Sequence, residues 1–260
     1  MKTIGIIGGM SPESTVLYYQ IINRETNRRL GGNRSAKILL DSVDFEEIVR
    51  LQKSGDWAEA GNVLAQSARK LEAAGADFLL LATNTMHKVA PAIEQAAGIP
   101  LLHVVDATAA AIKRQGLSAV GLLGTRFTMS DGFYTERMGS QDVQTIVPTT
   151  AEQDEIHRII FDELCLNRIH PESARYFYDV IGRLKKEGAQ GVILGCTEIC
   201  LLVNETDSPL PVFDSTATHA LAAGGAGKGP LRPAMSKARR ALRGGRRWSG
   251  GRVMDRAVRQ

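Results

Sequence analysis

Two apolar runs 113 residues apart end in nearly the same polar turn. "ARKLEAAGADFLLLATNT" (68–85) aligns without a gap on "IGRLKKEGAQGVILGCTE" (181–198). Upstream of them, "IGIIGG" (4–9) matches "VGLLGT" (120–125) at an offset of 116. Downstream, "PLLHVVDATAAA" (100–111) resembles "PVFDSTATHA" (211–220), each with an Asp-x-Thr at a helix opening. Three matches in one order and at nearly one spacing imply a duplicated unit.

The unit itself alternates strand and helix. "TIGIIGG" (3–9), "AKILLDSV", "DFLLLAT" and "PLLHVV" read as strands. Between them come a helix capped by Ser11 with Pro12 at its first position, a helix opened by an Asp44/Glu47 capping box, a helix over 58–74 and a helix near 86–97. Strands that are apolar on both faces predict parallel sheets covered by helices, an α/β fold. The expected architecture is two pseudo-symmetric parallel-sheet domains with the active site in the cleft between them, since ligands of such sheets sit at strand carboxyl ends. The boundaries place 1–103 plus 208–223 in an N-terminal α/β domain, 104–207 in a second, and 224–260 in a basic tail expected to be disordered. Thr83 and Cys196 fall at equivalent strand ends, so the symmetry sets them opposite one another.

Charge is divided along the chain. The 260 residues carry a formal +4, but Gly224–Gln260 holds 11 Lys/Arg against one acid, Asp255. That leaves 21 Lys/Arg and 27 Asp/Glu over 1–223, a mildly acidic body. Nucleic-acid binding is therefore confined to the tail as a possibility and is not expected of the body. The apolar runs are all shorter than the roughly 20 residues of a membrane span, and the N-terminal run is broken by glycines, unlike a signal peptide. Three cysteines give no paired framework, so a cytoplasmic protein with reduced thiols is expected.

Several familiar sites are missing. "IGIIGGMSPEST" is not G-x-G-x-x-G, there is no P-loop, and "GCTEIC" lacks the further ligands of a zinc site; no metal or cofactor is expected. What remains is a set of hydroxyls, amides and one thiol at the repeated strand ends. Cys196, at the start of a turn whose N–H groups would lower its pKa, is the reactive candidate, as a base or as a nucleophile. Its alternative reading is a small core residue. Cys165 and Cys200 lie on apolar helical faces and are expected in the core.

"GGMSPESTVLYYQIIN", "SVDFEEI", "ATNTMHK", "TRFTMSDGFYTERM", "AEQDEIH" and "GVILGCTEI" together resemble the aspartate/glutamate racemase family, over about 1–223. The resemblance implies a cofactor-independent amino-acid racemase, commonly a homodimer, in which two cysteines flank the substrate α-carbon. Cys196 matches the second cysteine, and Thr83 stands where the first would be. Asn84, Thr85, Thr197, Glu198, Met10 and Gln52 become substrate-binding positions by the same carry-over. Because an alcohol is a far weaker acid than a thiol, Cys196 would be the base, with reprotonation from the Thr83 side; the resemblance puts the second cysteine on the α-proton of the L-amino acid, which implies a bias toward L-aspartate and L-glutamate. Lys53, Lys88 and Arg126 are candidates by location for pairing an acidic side chain, and without such a cation the range would broaden. A single-cysteine decarboxylase of malonate-type acids and a non-catalytic binder of acidic amino acids are the alternatives.

Overall fold

The computed structural model describes residues 1–226. The tail expected to be disordered from 224 begins inside a helix, Ser215–Gly225, so Gly224 and Gly225 are ordered, contrary to expectation; the stretch from 227 onward, and the disorder expected of it, lie outside the described residues. The first half runs β1 (Thr3–Gly8), α1 (Pro12–Leu30), β2 (Lys37–Ser42), α2 (Phe45–Ser54), α3 (Trp57–Ala73) and β3 (Phe78–Leu81). A 3-10 turn (Thr85–Val89) then leads into α4 (Ala90–Ala96) and β4 (Leu101–Leu102), and α5 (Val104–Arg114) crosses to the second half. That half runs β5 (Ala119–Gly124), α6 (Arg126–Ser130), α7 (Phe133–Gly139), β6 (Gln144–Ile146) and α8 (Thr150–Arg158). The chain continues through a π-helical turn (Ile159–Glu163) and a 3-10 turn (Leu164–Leu166). It ends with α9 (Pro171–Lys186), β7 (Val192–Gly195), a 3-10 turn (Thr197–Leu201), β8 (Val212–Asp214) and α10 (Ser215–Gly225).

The halves have the same topology. One sheet is ordered β2-β1-β3-β4, the other β6-β5-β7-β8, and every pairing is parallel. Register repeats as well as order. Gly5 faces Leu79 across β1–β3, and Gly121 faces Val192 across β5–β7, the same partners that the sequence offsets align. These two glycines admit the helix that leads into β3 or β7. A Cβ on Gly5 would lie 2.9 Å from Ala76 Cβ and 3.2 Å from Leu71 Cβ; on Gly121 it would lie 2.9 Å from Leu184 Cδ1. Leu71 and Leu184 are equivalent in the repeat, so the missing side chains seat α3 and α9 at the same place. Each half then buries its own core, with Ile7, Leu79 and Leu81 in the first and Leu122, Val192 and Leu194 in the second.

Helix starts follow side-chain chemistry, with some changes from expectation. Ser11 caps α1 by accepting from Ser14 N, and Pro12 occupies the first position. Asp44 caps α2 through Glu46 N, so the expected box with Glu47 is not the pairing made. A reciprocal capping box occurs at α8 instead, between Thr149 and Glu152. "PLLHVV" supplies only two strand residues, because His103 caps α5 with its ring and the helix begins at Val104. The repeat partner of that cap is Asp214, which caps α10, whereas Asp106 sits inside α5 and binds Arg137 bidentately at 2.7 and 2.6 Å.

Residues 212–214, grouped by sequence with the N-terminal domain, pair with β7 in the second sheet, while α10 packs on α1 and α5. The chain thus returns to its first half after completing the second. The described residues fall in one compact unit. No helix among them is long and apolar enough to cross a membrane.

Candidate active site

The carboxyl ends of β1, β3, β5 and β7 converge on a narrow cavity of about 60 Å³. Its wall includes the catalytic and substrate-holding positions named from the sequence: Cys196, Thr83, Met10, Gln52, Asn84, Thr85, Thr197 and Glu198. A larger cavity, about 420 Å³, lies at the amino end of β1 among Met1, Lys2, Ile4 and Arg29. It contains none of the repeated polar turn and sits at the wrong end of the strands for an α/β ligand site.

Cys196 follows β7 in extended conformation and opens the 3-10 turn Thr197–Leu201. Its Sγ donates to Glu198 Oε2 at 2.9 Å. Burial pushes the thiol well above its usual pKa, and the Glu198 carboxylate and the hydrogen bond it accepts add to that rise. The expectation that turn N–H groups lower this pKa is therefore corrected: a single short turn supplies too little to offset desolvation and an adjacent carboxylate. Glu198 also accepts from Ser11 Oγ through Oε1 at 3.5 Å. Cys165 and Cys200, expected in the core, are both exposed. Cys165 reaches the cavity wall because the π-helical turn shifts the phase of the chain between α8 and α9.

On the other side, Thr83 follows β3 and is half-buried. Its N–H is bound to Leu81 O at 2.9 Å and its carbonyl accepts from His87 Nδ1 at 2.7 Å. Asn84 is 5 % exposed, lines the cavity, and its Oδ1 has no hydrogen-bond partner. A buried amide oxygen without a donor costs about 1–3 kcal/mol, which a ligand N–H or a water would recover. Gln52 is buried and donates to Met86 Sδ at 3.0 Å, and Met10 is buried against the first-half core; both also face the cavity.

The two turns are each held by the opposite half. Thr85 Oγ1 lies 3.1 Å from Thr125 Oγ1 and 3.4 Å from Thr128 Oγ1, and those two are 3.2 Å apart. Thr197 Oγ1 lies 2.8 Å from Ser14 Oγ. First-half turn binds second-half helix start, and second-half turn binds first-half helix start. Thr125, Phe45, Ile160 and Phe161 also line the cavity and were not singled out from the sequence. Thr125 was within reach of the argument, since it aligns with Gly9 of the glycine turn; Ile160 and Phe161 were not, because nothing in an apolar helical pattern announces a π turn.

None of the three cations proposed by location forms the cavity wall. Lys88 bonds Asp131 at 2.7 Å and lies 3.9 Å from the Trp57 ring centre, Arg126 pairs with Asp154 at 3.0 Å, and Lys53 is exposed. Among the described residues no group of three His, Cys, Asp or Glu is placed to hold a metal ion.

Known proteins place this geometry. Residues 7–223 match the Asp/Glu/Hydantoin racemase family. The chain is 24% identical over 222 residues to the broad-specificity amino-acid racemase RacX of Bacillus subtilis (strain 168), covering 82% of this chain and 93% of that one. Its fold superposes on a crystal structure of a candidate Asp/Glu racemase from Yersinia pestis with TM-score 0.83 and 51% identity, covering 86% of this chain and 98% of the other. An aspartate racemase homologue from Pyrococcus horikoshii OT3 follows at TM-score 0.74 and 34% identity, with 86% and 97% covered. A match of this extent, over both halves and the cavity between them, shows that the chain belongs to the Asp/Glu/Hydantoin racemase family.

Proposed function

We propose that the protein is a cofactor-independent amino-acid racemase in which Cys196 removes the α-proton of an L-amino acid and the Thr83 side returns a proton to the opposite face. The observation that carries this reading is the Cys196–Glu198 hydrogen bond in a cavity whose wall also holds the Thr83 turn. A thiol with a raised pKa is a poor base until its proton has somewhere to go. Glu198 supplies that destination: the proton moves from Sγ to Oε2 along the 2.9 Å bond, and the thiolate takes the α-hydrogen. The carbanion is held as an enediolate by hydroxyl and amide donors of the wall, Thr85, Thr197 and Asn84 among them. A water held by the Thr83 hydroxyl protonates the far face, and the hydroxide it leaves is neutralised by the proton taken up on Glu198. Solvent exchange then restores the water and returns Glu198 to its carboxylate.

Aspartate and glutamate are the proposed substrates. The cavity wall offers hydroxyls rather than a Lys or Arg to a side-chain carboxylate, and the Bacillus relative is described as broad in specificity, so we extend the range to uncharged amino acids. Incubation with L- and D-enantiomers in D₂O, without added cofactor, tests the reading. Deuterium is expected at the α-carbon, faster from the L-form, and lost in Cys196→Ser. Equal rates from both enantiomers would remove the directional claim; no incorporation from either would remove the racemase reading.

A further inference from the structure

Three histidines are buried together behind the Thr83 turn. His87 and His103 rings are 4.4 Å apart, and His87 and His219 rings 5.8 Å apart. Hydrogen bonds fix a tautomer on each. His87 Nδ1 faces a carbonyl, Thr83 O, at 2.7 Å and so carries the hydrogen; its Nε2 accepts from Val104 N at 3.2 Å and so does not. His219 is the reverse, with Nε2 donating to Leu102 O at 2.8 Å and Nδ1 accepting from Tyr18 Oη at 2.9 Å. His103 Nδ1 accepts from Val105 N at 3.2 Å. Burial, mutual proximity and the nearby Arg137 guanidinium hold His87 and His103 well below the usual imidazole pKa.

We infer that His87 is a positioning residue for the reprotonating side of the site, fixing the Thr83 carbonyl and thereby the turn that presents the Thr83 hydroxyl and the Asn84 amide to the α-carbon. This rests on the racemase reading above. His87 does not line the cavity, so it acts through Thr83 rather than on the substrate. Its second bond, from Val104, ties the turn to the first residue of the helix that crosses between the halves. The backbone alone does not fix this carbonyl: the 3-10 turn begins with His87 N bonded to Asn84 O, one residue beyond it.

Two substitutions separate positioning from mere packing. The Asn amide reproduces the Nδ1–H, and so keeps the Thr83 bond while losing the one to Val104. Gln places its polar atoms at Nε2, keeping the Val104 bond while losing the one to Thr83. Each variant is supplied with L-glutamate in D₂O, and deuterated products are resolved into retained L and inverted D. Exchange with retention needs only the Cys196 face; inversion needs both. His87→Gln is expected to lower the inversion-to-retention ratio about 5-fold, the worth of one hydrogen bond, while His87→Asn stays within about 2-fold of wild type. Equal falls in both variants, or an unchanged ratio in His87→Gln, overturn the inference. Should His87→Gln fail to fold, His87→Asn still decides: a fall of about 5-fold with the Thr83 bond restored overturns it. Absence of deuterium in the wild-type products is a different failure, that of the racemase reading itself.

Discussion

Glu198 raises the Cys196 thiol pKa, and in the reaction proposed above it also provides the atom that receives the proton, two opposed effects. Removing only the charge separates the two. Glu198→Gln should speed alkylation of Cys196 by iodoacetamide at pH 7, because the thiolate no longer faces a carboxylate, and should slow α-deuterium exchange by about 10-fold or more. Peptide mass spectrometry keeps the Cys196 signal apart from the exposed Cys165 and Cys200. A matched fall in both rates would mean that Glu198 only shapes the turn. The opposite side yields a complementary expectation. Thr83→Cys puts a second thiol on the far face, so exchange from the D-enantiomer should rise by about 10-fold or more relative to the L-form. An unchanged D-to-L ratio would remove Thr83 from the reprotonating role.

At the scale of elements, the two strand glycines leave no room for a side chain between sheet and helix. Gly5→Ala drives a methyl to 2.9 Å from Ala76 Cβ and 3.2 Å from Leu71 Cβ, atoms that no rotamer change can move aside, and should cost about 1–3 kcal/mol in urea unfolding. This part of the fold was legible in the sequence because a buried strand has to be apolar throughout, and because the copies keep their glycines in register at Gly5 and Gly121. The polar ends were legible for the same reason, since Thr83 and Cys196 occupy one position of the repeat. Harder to see were features that depend on contacts between distant segments. The short β4 is set by His103 turning inward as a cap, and Thr85–Thr125 and Ser14–Thr197 pairing arises only when the halves meet. The exposure of Cys165 and Cys200 defeats periodicity outright, because a π turn and 3-10 turns break the helical phase on which that reading depended.

The three neutral histidines make the acid response a property of the whole described body. Burial lowers each imidazole pKa in the folded protein, that of His219 to about 4, so below about pH 6.5 the unfolded chain binds protons that the folded one refuses. Stability from this source is complete above the unfolded value and is lost as pH falls from about 6.5 toward the folded values. Urea midpoints should therefore be flat from pH 7 to 8 and drop between pH 6.5 and 5, with a limiting slope of about 4 kcal/mol per pH unit for three protons. An unchanged midpoint across that window would contradict the buried neutral cluster. The crossed hydroxyl pairs have a consequence for recombination. Each turn is held by a helix start from the other half, so a change in Ser14 is felt at Thr197, and one in Thr125 at Thr85. A hybrid that joined the first half of this chain to the second half of another protein of the same fold would keep both turns pinned only if that half brought hydroxyls to the positions of Thr125, Thr128 and Thr197.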